Sequence, residues 1–267
     1  MEKPVIVGII LIFLLLATAG CVSAPVSPQP APSAGVTSAA QPHYVIGVDV
    51  DFYPFTYQGS DGNFTGFDIE AARWVAGREG FDVSFVALPW TAIIPSLQEG
   101  KIDMIWSAMT VTAERQEKFV NFSQPYYTVN HSVAIRTGSG FTLQDLYDGR
   151  LRIGTQENAP EGEWVKETLI RTGKMPEQDL LLYPDITSLT AALGNGTVDA
   201  TIIEYPSQQW AIRGKPLQII GATPAQAHYA VAVRKTDPEL QAKIDDGLMQ
   251  LMKDPYWQQL KQKYGMA

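Results

Sequence analysis

The chain contains one cysteine, three histidines and a shortage of positive charge, 20 Lys plus Arg against 28 Asp plus Glu, for a net −8. A single cysteine excludes an intrachain disulfide framework and any cysteine-based metal cluster. The histidines (His43, His131 and His228) stand at spacings that suggest no zinc site, and neither metal nor cofactor is expected. The acidic balance argues against a nucleic-acid partner and against holding an anionic membrane surface by charge. No G-x-x-x-x-G-K-S/T run occurs, so the chain has no P-loop of its own. What is present is ordinary globular material: 267 residues, 45% hydrophobic and 18% charged, enough for one large or two ordinary domains.

The amino terminus carries a location signal. Val5 to Ala19 is an apolar run broken by Gly8 and Thr18, short for a spanning helix but suited to the hydrophobic region of a signal peptide, assigned to residues 1–20. Thr18-Ala19-Gly20-Cys21 resembles a lipoprotein cleavage box, with Thr18 where Leu is usual, so Cys21 is the expected lipidation site. The alternative is an uncleaved N-terminal anchor, and both place the remainder on the outer face of the cell membrane. The charge-free run 22–42, rich in Pro, Ala, Ser, Val and Gln, reads as an extended tether. Of four N-x-S/T sequons, those at Asn63 and Asn195 lie in Gly-containing turns and are the plausible glycosylation acceptors.

From residue 43 onward strands and helices alternate, the pattern of parallel βαβ units. Tyr44 to Asp49 is a strand; Asp68 is expected to cap a helix running to Arg78, with Ile69, Ala72, Val75 and Ala76 on one face. Trp90 opens a helix to Glu99, and Ile102 to Ser107 is a strand. The second half repeats the plan, with a strand at Leu151–Thr155, a helix from about Ala159 to Arg171, strands at Asp179–Tyr183 and Ala200–Ile203, and a helix at Ser188–Leu193 between them. Leu97-Gln-Glu-Gly100-Lys-Ile-Asp103 is echoed by Leu193-Gly-Asn-Gly196-Thr-Val-Asp199, displaced throughout by 96 residues. Two similar α/β lobes are therefore expected. A strand at Tyr229–Arg234 and two helices opened by Asp237-Pro238 and Asp254-Pro255 have no counterpart in the second lobe and are assigned to the first.

Residues 107–127 carry the most distinctive chemistry. Thr112 is an expected N-cap for a helix from Ala113 to Phe119, with Arg115 in the first turn. A cation there is unfavourable beside the positive end of the helix dipole unless an anion docks too. Thr110, Thr112 and Arg115 thus form a candidate anion clamp; the bland alternative has Arg115 on the surface, pairing with Glu114 or Glu117.

Pro54-Phe55, Gly66-Phe67-Asp68, Ile94-Pro95-Ser96-Leu97-Gln98, Met109 to Arg115, Phe122 to Tyr127, Val198-Asp199-Ala200 and Ala230 to Lys235 resemble the polar amino-acid-binding proteins of ABC importers. The resemblance implies a type II periplasmic-binding fold: two lobes, each a mostly parallel sheet flanked by helices, joined by two crossover strands acting as a hinge. Lobe one would comprise 43–127 and 230–267, lobe two 132–224, with hinges near 127–131 and 225–229. It implies that Arg115 and Thr110 take the ligand carboxylate, that the Ala108 backbone and Glu204 hold its ammonium, and that Phe52 and Trp90 sandwich its side chain. Asp49 would contact distal polar groups. Ala159 and Pro160 replace residues that usually donate to the carboxylate, leaving Asn158 to cap the following helix or reach the ligand. The implied function is capture of a polar or cationic amino acid by a monomeric receptor, without enzymatic activity, and delivery to an ABC permease with its ATPase. Two alternatives share the fold. One resembles cyclohexadienyl dehydratases, with Glu204 as general acid acting on prephenate or arogenate; the other is a ligand-sensing ectodomain.

Overall fold

The computed structural model describes residues 41–266. The signal peptide, Cys21 and nearly all of the expected tether lie outside the described residues. Among the described residues no helix is long and apolar enough to cross a membrane.

The first lobe opens with β1 (His43–Val48), whose inner residues Ile46 and Val48 are fully buried. A small antiparallel sheet follows, β2 (Asp51–Phe52), β3 (Thr56–Gln58) and β4 (Phe64–Thr65). Then come α1 (Phe67–Glu79), β5 (Asp82–Ala87), α2 (Trp90–Gln98), β6 (Met104–Ile105), α3 (Ala113–Lys118) and β7 (Asn121–Phe122). β1 runs parallel to β5 and to β6, as alternation requires. The second lobe is built from β8 (Tyr127–Arg136), α4 (Leu143–Tyr147), β9 (Ile153–Gln156), α5 (Pro160–Val165), β10 (Leu180–Tyr183), α6 (Ile186–Asn195), β11 (Ala200–Glu204), α7 (Tyr205–Ala211) and β12 (Leu217–Tyr229). β9 is parallel to β10 and β11, whereas β8 pairs antiparallel with β11 and β12. The chain returns through β13 (Ala232–Val233) into the first sheet, then forms α8 (Pro238–Lys253) and α9 (Pro255–Lys263). The result is two five-stranded sheets, ordered β5-β1-β6-β13-β7 and β10-β9-β11-β8-β12.

Cap chemistry explains most boundaries. Thr112, Asp185, Asp237 and Asp254 each accept a backbone N–H at the start of a helix. The Asp-Pro pairs open α8 and α9 with Pro at the first helical position. Gly80 ends α1 in the left-handed conformation. The two echoed segments share a structural job. Asp103 accepts the Val45 N–H at 2.8 Å and pairs with Arg234 at 2.9 Å, while Asp199 accepts the Arg152 N–H at 3.1 Å and pairs with Arg152 at 2.9 Å. In each lobe this aspartate ties the start of one strand to the turn leading into another.

Several local expectations are corrected. The N-cap of α1 is Gly66, and Asp68 lies inside the first turn, fully buried. The strand expected at 102–107 contracts to Met104–Ile105, because the following residues turn toward the interlobe cleft. The strand expected at 229–234 is broken at Ala230-Val231, where the chain leaves one sheet for the other. The helix expected at 159–171 starts at Pro160 and loosens into a π-helical turn at Lys166–Ile170. α8 packs on α1, where Gly247 lets the helices close: a Cβ there would stand 2.4 Å from Val75 Cγ1.

Candidate functional site

Arg115 is the centre of the site. Its own N–H is used by the Thr112 cap at 3.2 Å, and its side chain turns inward rather than toward solvent. Nη1 donates to the Thr110 carbonyl at 2.8 Å and Nη2 to the Asn158 carbonyl, across the cleft, at 2.7 Å. Glu114 pairs with Lys118 at 2.9 Å, so the surface alternative fails. The guanidinium lies 5.3 Å from the centre of the Trp90 ring, within reach of a cation–π contact. Its hydrogen bonds go to neutral carbonyls, and the charges nearest to it are those of Glu161, Glu204 and Glu114; a buried cation is costly without such anionic company.

Around it Phe52, Trp90, Ser107, Ala108, Thr110, Gln156, Ala159, Pro160 and Glu204 line a cavity of about 10 Å³, room for about one water. The sheet ends therefore meet closely here, and a ligand of several heavy atoms requires the lobes to part. Five expected site residues, Phe52, Trp90, Ala108, Thr110 and Glu204, line this cavity, and Arg115 lies beside it against Trp90 and Thr110. Asn158 departs from expectation: it neither caps α5, whose N-cap is Ala159, nor lines the cavity, and it reaches Arg115 through its carbonyl. Its φ of 59° is the left-handed conformation that Asn tolerates better than most residues.

Asp49 sits at the end of β1 behind the cavity wall. Burial raises its carboxyl to about 6, offset partly by the Asp51 N–H and the Gln156 side chain. Ser107, which the residue pattern did not single out, accepts the Asp49 N–H at 3.0 Å and shares a 2.9 Å hydrogen bond with Thr56. Ala108 has φ 48° and donates its N–H to Asp68 Oδ2 at 2.6 Å; the same oxygen accepts the Tyr126 hydroxyl at 2.8 Å. Asp68 thus clamps the strained turn that presents Ala108 and Thr110.

Asp68 yields a pH prediction. Burial raises its carboxyl from 3.8 to about 7, although both hydrogen bonds work the other way. An acid with a higher pKa folded than unfolded binds more protons when folded, so its contribution falls as pH rises through that window. Urea unfolding at pH 5 and pH 8 is expected to show lower stability at pH 8. Asp68→Asn should shrink that difference, to which the raised carboxyls of Asp49, Glu161 and Glu204 add with the same sign, and an unchanged difference would remove Asp68 as a source.

On the opposite wall Glu204, at the end of β11, stands in register with His131 of β8. Glu161, in the first turn of α5, completes a buried trio that no sequence spacing announced. Burial and the neighbouring Glu161 charge push Glu204 up to about 8, and burial pushes Glu161 up to about 7. The expectation of an acidic pocket from Asp49 and Glu204 is thereby tempered, because Glu204 ionises only toward pH 8 while Asp49, raised to about 6, keeps most of its charge at neutral pH.

Two further contacts join the lobes outside the cavity. Asp51 accepts the Thr187 N–H and hydroxyl, each at 2.8 Å, and Tyr53 stacks on Trp210 with ring centres 3.7 Å apart. These residues also border an outer groove of about 930 Å³.

Comparison with known proteins gives this geometry its setting. The arginine-binding extracellular protein ArtP of Bacillus subtilis (strain 168) is 29% identical over 257 residues, covering 94% of this chain and 97% of that protein. The L-cystine-binding protein TcyJ of Escherichia coli (strain K12) is 25% identical over 225 residues, 82% of this chain and 81% of that protein. Among solved structures, an ancestral arginine-binding protein bound to arginine superposes with a TM-score of 0.75 at 28% identity, covering 85% of this chain and 99% of that one. Residues 44–267 match a family-wide description of bacterial extracellular solute-binding proteins, family 3, and the chain belongs to that family.

Proposed function

We propose that the chain is an extracytoplasmic receptor that captures a free amino acid between its lobes and delivers it to an ABC permease. The observation that carries this reading is Arg115: a buried, planar cation at the cleft whose side-chain partners are two backbone carbonyls, apt for a bidentate carboxylate. Thr110 stands beside it, Glu204 and the Ala108 backbone face it as acceptors for an ammonium, and Phe52 and Trp90 supply the walls for a side chain. A polar or cationic side chain suits the aromatic walls, with Asp49 behind them as a source of negative charge. The named ligands of ArtP and TcyJ, arginine and cystine, share the α-amino-acid end and differ beyond it, matching this division of the pocket.

In this reading the lobes, 43–127 with 230–267 and 132–224, swing about 127–131 and 225–229, where β8 and β12 pair. The receptor acts as a monomer tethered through Cys21 to the outer face of the cell membrane. Ligand closes the lobes by binding the closed state better than the open one. Titration calorimetry with arginine, lysine, histidine, glutamine and cystine tests the assignment. Saturable binding of at least one is expected; no heat and no thermal stabilisation with any common amino acid would overturn it.

Asp51 tests closure separately, because it bridges to Thr187 without lining the enclosed cavity. Asp51→Ala is expected to weaken every ligand by a similar factor, about 5–30-fold, by removing stability from the closed state alone. A loss confined to one ligand would instead make Asp51 a direct contact.

The raised carboxyl of Glu204 favours one other reading, general-acid dehydration. Turnover of prephenate or arogenate by the purified chain, lost in Glu204→Gln, would establish it; binding without turnover retains the receptor.

A further inference from the structure

We propose that His131, Glu161 and Glu204 form a binding site for a single divalent transition-metal ion on the second-lobe wall of the cleft. One donor atom from each lies within 4.8 Å of the others. Three points so spaced always share a position no farther than 4.8/√3, about 2.8 Å, from each, so shifts of about 0.7 Å reach zinc bonding distances near 2.1 Å. The trio sits in a built environment, with His131 2%, Glu161 1% and Glu204 6% exposed.

The second observation is lack of hydrogen-bonding partners. Both ring nitrogens of His131 and Glu161 Oε1 are buried without one, and His131 Nε2 points toward Glu161 Oε1 at 3.4 Å without forming a hydrogen bond. Buried polar atoms in this condition are costly, and a shared cation would satisfy all three together. Two competitors stand nearby: a Glu161–Glu204 side-chain hydrogen bond, which needs one of the two protonated and leaves both His131 nitrogens unmatched, and Arg115, whose Nη atoms are held by the Thr110 and Asn158 carbonyls. One neutral imidazole and two carboxylates neutralise a divalent ion and suit zinc, iron or manganese better than the larger calcium. Access is from the cleft, since Glu204 alone of the three lines the cavity.

This goes beyond amino-acid capture and is tested without amino acids. The full chain, free of any histidine tag and stripped with chelator, is titrated with Zn²⁺ by calorimetry and with Co²⁺ by visible absorption. One saturable site per chain is expected, with the d–d bands of an imidazole–carboxylate centre. His131→Gln and Glu161→Gln should each weaken binding by at least about 100-fold, the upper end of what losing even an outer partner costs. Thermal unfolding without metal checks that the variants fold. A control lacking the remaining cysteine and histidines (Cys21→Ser, His43→Gln, His228→Gln) should bind as before. Absence of saturable binding in the wild-type chain, or binding lost in the control and kept by His131→Gln, would overturn the site. Either result leaves the amino-acid titration unaffected.

Discussion

Replacing Arg115 by alanine is expected to cost about 2–5 kcal/mol of ligand binding, the range for stripping one partner from a buried, hydrogen-bonded charge pair. Arg115 is 6% exposed, so little of this is screened by solvent. Arg115→Lys should recover only part, because an ammonium offers a point charge where the fork offers two parallel donors. The variant also frees the Thr110 and Asn158 carbonyls, and the second of these is a contact between the lobes. Calorimetry should therefore be paired with thermal unfolding in the absence of ligand. Unchanged affinity in a folded Arg115→Ala protein would remove Arg115 from the site, and the carboxylate assignment with it.

Gly66→Ala is expected to have the largest effect on stability, about 3 kcal/mol or more, through a backbone clash that cannot relax locally. Gly66 has φ 128°, and a Cβ there would lie 2.1 Å from the Phe55 carbonyl oxygen and 2.6 Å from its carbon. That carbonyl is not free to move: it accepts the Asp68 N–H at 3.0 Å, while the Pro54 carbonyl accepts that of Phe67 at 3.0 Å. Phe55 itself is fully buried. Gly62 is the control, with φ 80° and nothing within 4 Å of where a methyl would stand, so Gly62→Ala should cost only the conformational penalty of about 1 kcal/mol. Equal urea midpoints for the two variants would show that the loop at Phe55 yields. Ligand affinity should fall with Gly66→Ala as well, because α1 positions Asp68 and Asp68 holds the Ala108 turn.

Much of the architecture was legible because it is local. A helix cap spans three residues, and Thr112, Asp237 and Asp254 act where their spacing placed them. Alternating strands and helices led to parallel strand pairs, and the echo between Leu97–Asp103 and Leu193–Asp199 corresponds to the same aspartate role in both lobes. The helix dipole by itself left Arg115 open between a surface pair and an inward cation; the resemblance carried by Met109 to Arg115 pointed inward, and the structure buries the residue.

Other features depended on residues far apart in the chain. Asp68 stands just before an apolar helical face, as an N-cap would, and nothing nearby reveals that its partners are Ala108 and Tyr126. Histidine spacing carries no trace of the buried trio, because strand register places Glu204 beside His131 and α5 adds Glu161. Asp51 and Thr187 likewise meet only when one lobe lies against the other. By itself the sequence determined the two-lobed α/β plan and most helix starts, and it singled out Arg115 as the candidate cation. Periodicity and capping act over a few residues and are written in adjacent letters. The tertiary structure alone decided which carboxyls are buried together, how far their proton affinities rise and what fastens the lobes. Desolvation and cross-strand register belong to surfaces that exist only after the chain has folded.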